Sequence, residues 1–455
     1  MYYKKYKDTK KSNKITGAGL SILHRSYQYL NPLLDRLDCQ MDIRLVRTFY
    51  NVFIAMMLGR NRSDGLLLTE LGAGILGPKK AKAGVKRVSN LFRSKKWDYK
   101  VINNYLEEEV EERLRLEKNK GKEWLMLWDD SVLEKPESWW SEGLSAVHSK
   151  KSQRLTRIKP GYYEKHRGRI CVPGFEWSAA VLTSLEKRDS PQICKMNWFA
   201  TRGKYKEDRR NIFYRMFRDL NKCVKSSEAD VLHVFDRGYA YGNFIEYMFT
   251  FEARFLLRWK KLNNLIDENG IKKNTYKLSL GQKAKDHRLM WDNLRKQTRS
   301  VKIVYRKVFH PYFPDKPLYL VIVRDKRKGT SPMYLLTNEV IDTAGMAWKM
   351  LYSYMKRWDI EQVFKYGKSE MGMESPRLWF FENRLKMLML VSLVMNFIFR
   401  MLRNFKGLMT TIMNIWCPRT GNRHRTASMP IYRLRKAIHF VLMFLFVQCT
   451  LENSG

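Results

Sequence analysis

The hydrophobic rhythm of the chain changes three times. Up to about residue 118 apolar positions recur at helical spacing, as in "LVRTFYNVFIAMML" (45–58), and "YLEEEVEERLRLEK" (105–118) reads as a charged helix. From residue 124 the pattern shortens to strands. "WLMLW" (124–128) is a short apolar run ending at Asp129, "FEWSAAVLTSL" (175–185) is another, and "VLHVF" (231–235) ends at Asp236. "DRGYAYG" then leads into an apparent helix, "NFIEYMFTFEA", and a strand, "RFLLRW" (254–259), the β–turn–α–β order of an α/β sheet. Residues 265–335 carry "VKIVYRKVF", "LYLVIVRD" and "MYLLTN" as strands separated by Gly, Pro and charge, a β-rich insertion. Helices resume near residue 343. The pattern predicts a helical N-terminal region (1–118), an α/β core in two parts (119–264 and 336–404) split by the insertion, and a C-terminal helical region (405–455).

Charge adds a partner to this picture. The 455 residues hold 86 Lys+Arg against 45 Asp+Glu, a net charge of +41. Such a surplus repels itself unless an anionic polymer or surface neutralises it. Nucleic acid leads, because basic grooves gain affinity by releasing counterions from phosphates. The basic stretch "GPKKAKAGVKRVSNLFRSKKW" (77–97) is the best candidate for a DNA-reading segment, and an exposed basic linker is its plain alternative. A membrane surface is the competing anionic partner. Met387–Phe399 and "IHFVLMFLFVQCTL" (438–451) fall short of the ~18–20 apolar residues a bilayer span needs, so buried helices are expected. The N-terminus "MYYKKYKDTKKSNK" lacks the apolar stretch of a secretory signal and reads as a flexible basic arm, which points to a cytoplasmic protein.

Three patterns suggest chemistry and do not carry it. The six cysteines (Cys39, Cys171, Cys194, Cys223, Cys417 and Cys449) show no C-x-x-C spacing, and the eight histidines no ligand spacing, so any metal should be hard and oxygen-bound. "GAGILG" (72–77) matches G-x-G-x-x-G, yet Pro78 and lysines follow it and its surroundings read as helical, against a dinucleotide site. The acidic run Glu107–Glu112 reads as one solvated helix face.

Carboxylates are more informative. Two apolar strands each deliver an aspartate at the carboxyl end, where α/β sheets place their sites. A third carboxylate comes from "YSYMKRWDIEQVFKYGK" (352–368). Read as one helix, it puts Tyr354, Arg357, Glu361 and Lys368 on a stripe within roughly 60° of arc, with Ile360, Val363 and Phe364 facing a core. A solvated face with an Arg357–Glu361 pair is the simplest account of that stripe. Three carboxylates can also hold two divalent ions about 3.5–4 Å apart, and Mg²⁺ suits such a set.

Together these residues resemble a DDE insertion-sequence transposase of the family with a Y-(2)-R-(3)-E-(6)-K signature. Tyr354, Arg357, Glu361 and Lys368 match that spacing without a gap. "WDDSVLEK" resembles the first-aspartate strand with its D-x-S/T pattern, and "VFDRGYAYGNF…EARFLLRWK" the second-aspartate segment. The likeness spans roughly 120–400 in the family's order. It implies a ribonuclease H-like core interrupted by the β-rich insertion, and Mg²⁺-dependent cleavage and strand transfer at inverted-repeat ends of double-stranded DNA by a homodimer. It also implies Asp129, Asp236 and Glu361 as metal ligands, with Tyr354, Arg357 and Lys368 on the DNA. Asp129 and Asp130 are adjacent, so a strand sends them to opposite faces; the D-x-S pattern favours Asp129, with Asp130 the alternative first ligand. A structure-selective nuclease on the same core, and a non-catalytic DNA-binding descendant of a transposase, are the alternative readings.

Overall fold

The computed structural model describes residues 9–59, 66–118, 121–138, 140–152, 168–186, 189–292, 297–325, 331–416 and 430–452. Five helices come first: α1 (Thr9–Asp38), α2 (Ile43–Leu58), α3 (Leu68–Leu76), α4 (Ala81–Arg93) and α5 (Lys100–Glu117). Residues 1–8 of the expected basic arm lie outside the described residues; the rest, from Thr9, already belongs to α1. Next come β1 (Trp124–Glu134), β2 (Ser145–His148), β3 (Cys171–Ser184), β4 (Gln192–Phe199), α6 (Arg209–Ser226), β5 (Val231–Phe235), α7 (Gly242–Thr250) and β6 (Arg254–Arg258). The insertion contributes β7 (Asn264–Ile266), β8 (Lys272–Asn274), α8 (Thr275–Ser279), β9 (Asp286–Asp292), β10 (Gln297–His310), β11 (Phe313–Asp325) and β12 (Met333–Thr337). The chain closes with α9 (Ala344–Lys356), α10 (Trp358–Ser369), α11 (Phe381–Asn404), α12 (Lys406–Trp416) and α13 (Ile431–Glu452).

All twelve strands join one mixed sheet. β1, β5 and β6 run parallel, while β3 lies antiparallel to β1 and carries β4 on its far side. The insertion adds to this same sheet, since β12 pairs antiparallel with β6 and passes the ladder to β11 and β10. Side-chain alternation along β1 separates two cores. Leu125, Leu127 and Leu133 face one, which holds the N-terminal helices, α9, α10 and α11; Trp124, Met126 and Trp128 face the other, with α6 and α7. The first core is continuous from Ile15 through Leu106 to Phe444, so the change of texture at residue 118 falls within one packed body. The outer edge of β4 is capped by α5, where the Asn103 amide donates to the Met196 carbonyl at 3.1 Å and accepts from its N–H at 3.3 Å. Pairing of this kind removes an open strand edge.

One expectation is corrected here and another is met. The Glu107–Glu112 run is not a solvated face: Glu107 pairs with Lys195, Glu108 with Arg36 and Glu109 with Arg400, clamping α5 to three other elements. Among the described residues "GAGILG" has no strand before it, and it lies in α3 and its cap, as its helical surroundings implied. Gly72 serves packing, because a Cβ on it would stand 2.5 Å from the Val85 backbone nitrogen where α3 crosses α4. The expectation of buried apolar helices is met by α11. It is longer than the bare apolar run and is the one described helix long and apolar enough to cross a membrane, but 94% of that apolar stretch is buried inside the protein. In α13, Ile438, Val441 and Leu442 are buried while Met443 and Phe446 are partly exposed.

A buried histidine makes the second core sensitive to acid. His233 on β5 accepts a hydrogen bond from Trp128 Nε1 at 3.1 Å, and burial, helped by Arg254, pushes its imidazole down to about 3. The unfolded chain takes up this proton near pH 6.5, so stability is expected to fall from about pH 6.5 towards 3, by about 2 kcal/mol at about pH 5. His233→Gln keeps an acceptor for Trp128 and should flatten that part of the profile in urea melts; an unchanged slope contradicts this origin.

Candidate functional site

Asp129 does not end its strand. β1 continues through Asp129, Asp130 and Ser131 to Glu134, paired throughout with β3. What ends there is the parallel pairing with β5, whose last pair is Trp128 with Phe235. Asp129 and Asp236 therefore stand side by side, one residue past the last rung, on the face that Leu127 and Val234 share. The apolar runs made this strand legible; the polar residues that followed hid its continuation.

The glutamate segment is also not one helix. α9 ends at Lys356, α10 begins at Trp358, and Arg357 forms the junction, with its N–H bonded to the Tyr354 carbonyl at 3.1 Å. Charge order favours this break: Lys356 closes α9, and Asp359 and Glu361 occupy the first turn of α10, each sign matching the helix end it meets. Ile360, Val363 and Phe364 are buried as expected, and Phe364 packs edge-on against Trp177 of β3 at 4.6 Å. A Cβ on Gly367 would stand 3.0 Å from Trp177, so the absence of a side chain there lets α10 sit close to the sheet.

These supports bring all the predicted site residues together. Arg357 Nη1 donates to Asp129 Oδ2 at 2.8 Å while Nη2 bonds Glu361, so one guanidinium bridges two carboxylates. Tyr354 donates its phenol to Asp236 Oδ1 at 3.1 Å. Lys368 Nζ donates to Ser131 Oγ at 2.9 Å, on the same face as Asp129 and two residues along. The simple Arg357–Glu361 pair exists, but it is part of this larger network. Arg357 Nε is buried and has no hydrogen-bond partner among the described residues, an unmet donor inside the site.

Asp130 goes the other way. On the opposite face it accepts from Arg209 Nε at 2.6 Å, from the Tyr239 hydroxyl at 3.0 Å and from Ser178. Arg209 opens α6, a helix the sequence reading passed over although Ile212, Phe213, Met216, Phe217 and Leu220 recur at helical spacing. The backbone N–H of Asp130 returns to Asp129 Oδ1 at 2.9 Å, tying the two roles.

Burial raises the Asp129 carboxyl to about 6, and Arg357 opposes that rise. For Arg357 burial acts to lower the pKa, and the charges of Asp129, Tyr354, Glu361 and Asp236 outweigh it and hold the guanidinium above its ordinary range. Burial, with a contribution from Asp236, pushes the Tyr354 phenol up to about 12, so it keeps its proton and donates. Burial, then Lys150, brings Lys368 down to about 8.

Asp129, Asp236, Glu361 and Ser131 offer hard oxygen donors, the type Mg²⁺ takes. Among the described residues no three His, Cys, Asp or Glu side chains are gathered as a ligand group; Arg357 supplies the positive charge between Asp129 and Glu361. The donor type suits a hard divalent ion, and the guanidinium of Arg357 occupies the space between two of the carboxylates. Compared with known proteins, the chain matches no family model and no curated sequence.

Proposed function

We propose that this protein is a DDE-class transposase that cleaves and joins DNA at the inverted-repeat ends of an insertion sequence. The observation that carries the reading is that Arg357 bridges Asp129 and Glu361 beside Asp236, which Tyr354 holds, with Lys368 on Ser131 of the same face. The sheet order β4–β3–β1–β5–β6, with β3 antiparallel and β1, β5 and β6 parallel, supports a ribonuclease H-like core within the larger sheet.

Asp129, Asp236 and Glu361 would hold Mg²⁺, which when bound activates the attacking oxygen and stabilises the leaving oxygen of a phosphoryl transfer. The chain's own groups position the DNA. Arg357 is a planar donor whose free Nε–H suits a phosphate oxygen, and Lys368, mostly protonated at neutral pH, adds a second cation. Tyr354 donates a proton it does not lose. Asp130 orients rather than reacts, through Arg209 and Tyr239. Two copies acting on paired DNA ends in the cytoplasm complete the reading.

Recognition of the end sequence falls to α4. Lys82, Lys86 and Arg87 are exposed along it, beyond the crossing with α3, and no ion pair engages them among the described residues. The triple variant Lys82→Glu/Lys86→Glu/Arg87→Glu should lose selective binding of end DNA and lower the salt slope by about 3, at about 0.9 per phosphate. Binding-site selection with the full chain tests the whole reading: it should enrich one sequence matching inverted repeats that flank the gene. Enrichment of a DNA shape with no common sequence favours the structure-selective nuclease instead.

A further inference from the structure

A cleft of about 970 Å³ lies where the α4–α5 turn meets the edge of β4 and the start of α11, on a part of the molecule that the carboxylate site does not use. Arg93, Lys95 and Lys100 line one wall, and Lys204 and Lys206 the other. All five are exposed, and none forms an ion pair among the described residues. Of the four acids in the cleft, Glu382 is exposed and the other three are engaged. Asp98 accepts from the Lys100 backbone N–H at 2.7 Å, Glu142 from the Phe381 N–H at 3.0 Å, and Glu207 pairs with Arg215 at 2.9 Å. Seven cations, Arg215 and Lys386 included, thus stand against four acids in the cleft, a net positive lining.

Rings complete it. Phe380 is 50% exposed, and the half-buried Tyr205 packs on Phe381 at 4.5 Å between centroids, with the flexible Lys204 ammonium 5.2 Å from its ring centre. A duplex hides the faces of its bases, so exposed rings gain little from it, whereas a single strand offers both phosphates and base faces. We propose that this cleft binds a single DNA strand, phosphates between the two basic walls and bases against Tyr205 and Phe380. That the strand is DNA rests on the proposed function; the affinity of the cleft for a single strand does not. Across the sheet Ser131 pairs with Trp177 and Trp177 with Trp198, which lines the cleft. Two strand spacings, about 10 Å, thus separate it from the carboxylate strand. A strand freed at the carboxylates has a holding track close by.

The test uses the full chain and a labelled single-stranded DNA oligonucleotide without self-complementarity, in competition with its own duplex. Lys100→Glu/Lys204→Glu/Lys206→Glu should weaken single-strand binding at least tenfold and lower its salt slope by about 2, at about 0.7 per phosphate. Tyr205→Ala should weaken it several-fold without changing the slope. Lys222→Glu/Lys225→Glu, on the exposed side of α6, should leave single-strand binding nearly intact. Photocrosslinking of a halogenated oligonucleotide should map to the peptide holding Tyr205. Equal losses from the α6 variant, duplex binding falling while single-strand binding holds, or crosslinks only outside the cleft would each overturn the proposal. None of these readouts requires cleavage, so an inactive enzyme and a wrong cleft give different results.

Discussion

Asp129→Asn, Asp236→Asn and Glu361→Gln are each expected to abolish DNA cleavage while leaving DNA binding largely intact. Each change keeps the size of the side chain and removes a charged oxygen from the set around Arg357. Losing one anionic ligand should slow a metal-assisted phosphoryl transfer at least a thousand-fold, about 4 kcal/mol in the barrier. Binding should persist because the basic surface of this +41 chain lies elsewhere. Asp130→Asn is the internal comparison. It faces Arg209 and Tyr239 on the other side of β1, so it should lower stability and retain much of the cleavage. Single-turnover rates with matched binding curves separate the two aspartates. Full loss in Asp130→Asn together with normal cleavage in Asp129→Asn would reverse their roles.

The second large effect concerns Arg357 and Lys368. Arg357 bonds Asp129 and Glu361 and also has a buried Nε–H without a partner among the described residues, so its removal should move two readouts in opposite directions. Arg357→Ala should bind Mg²⁺ or Mn²⁺ more tightly, because no guanidinium competes for Asp129 and Glu361. Its melting temperature should rise more steeply with metal than that of the wild type. Cleavage should nevertheless fall roughly a hundred-fold, since a misplaced scissile phosphate loses its alignment. Arg357→Lys should recover little, because an ammonium cannot reproduce the planar fork. Lys368→Ala should likewise reduce cleavage far more than affinity. If Arg357 only decorated a solvated helix, Arg357→Ala would cost a few tenths of a kcal/mol and change neither metal response nor cleavage.

Much of this site was legible because chemistry sits at fixed offsets from strong apolar runs. Val231–Phe235 announced a strand and thereby Asp236, and the spacing from Tyr354 to Lys368 survived although a junction at Arg357 divides the helix. The contacts themselves were not legible. That Arg357 reaches Asp129, and Lys368 reaches Ser131, depends on the seating of α10 by Phe364 and Gly367 on a strand far away in sequence. β1 was read too short because Asp129, Asp130 and Ser131 break the apolar pattern, and its continuation depends on pairing with β3. The short strands β7 and β8 exist only through pairing with partners and carry little signal of their own. α6 was different: its periodicity was present in the sequence, and the charged residues among its apolar positions obscured it.

The most direct measurement is cleavage of a supercoiled plasmid carrying the DNA that flanks this gene, by the full-length protein, with and without Mg²⁺. The account predicts Mg²⁺-dependent breaks at both ends of the element by the wild type, and none by Glu361→Gln bound to the same plasmid. Breaks by Glu361→Gln at the wild-type rate, or equal cutting without metal, would contradict it.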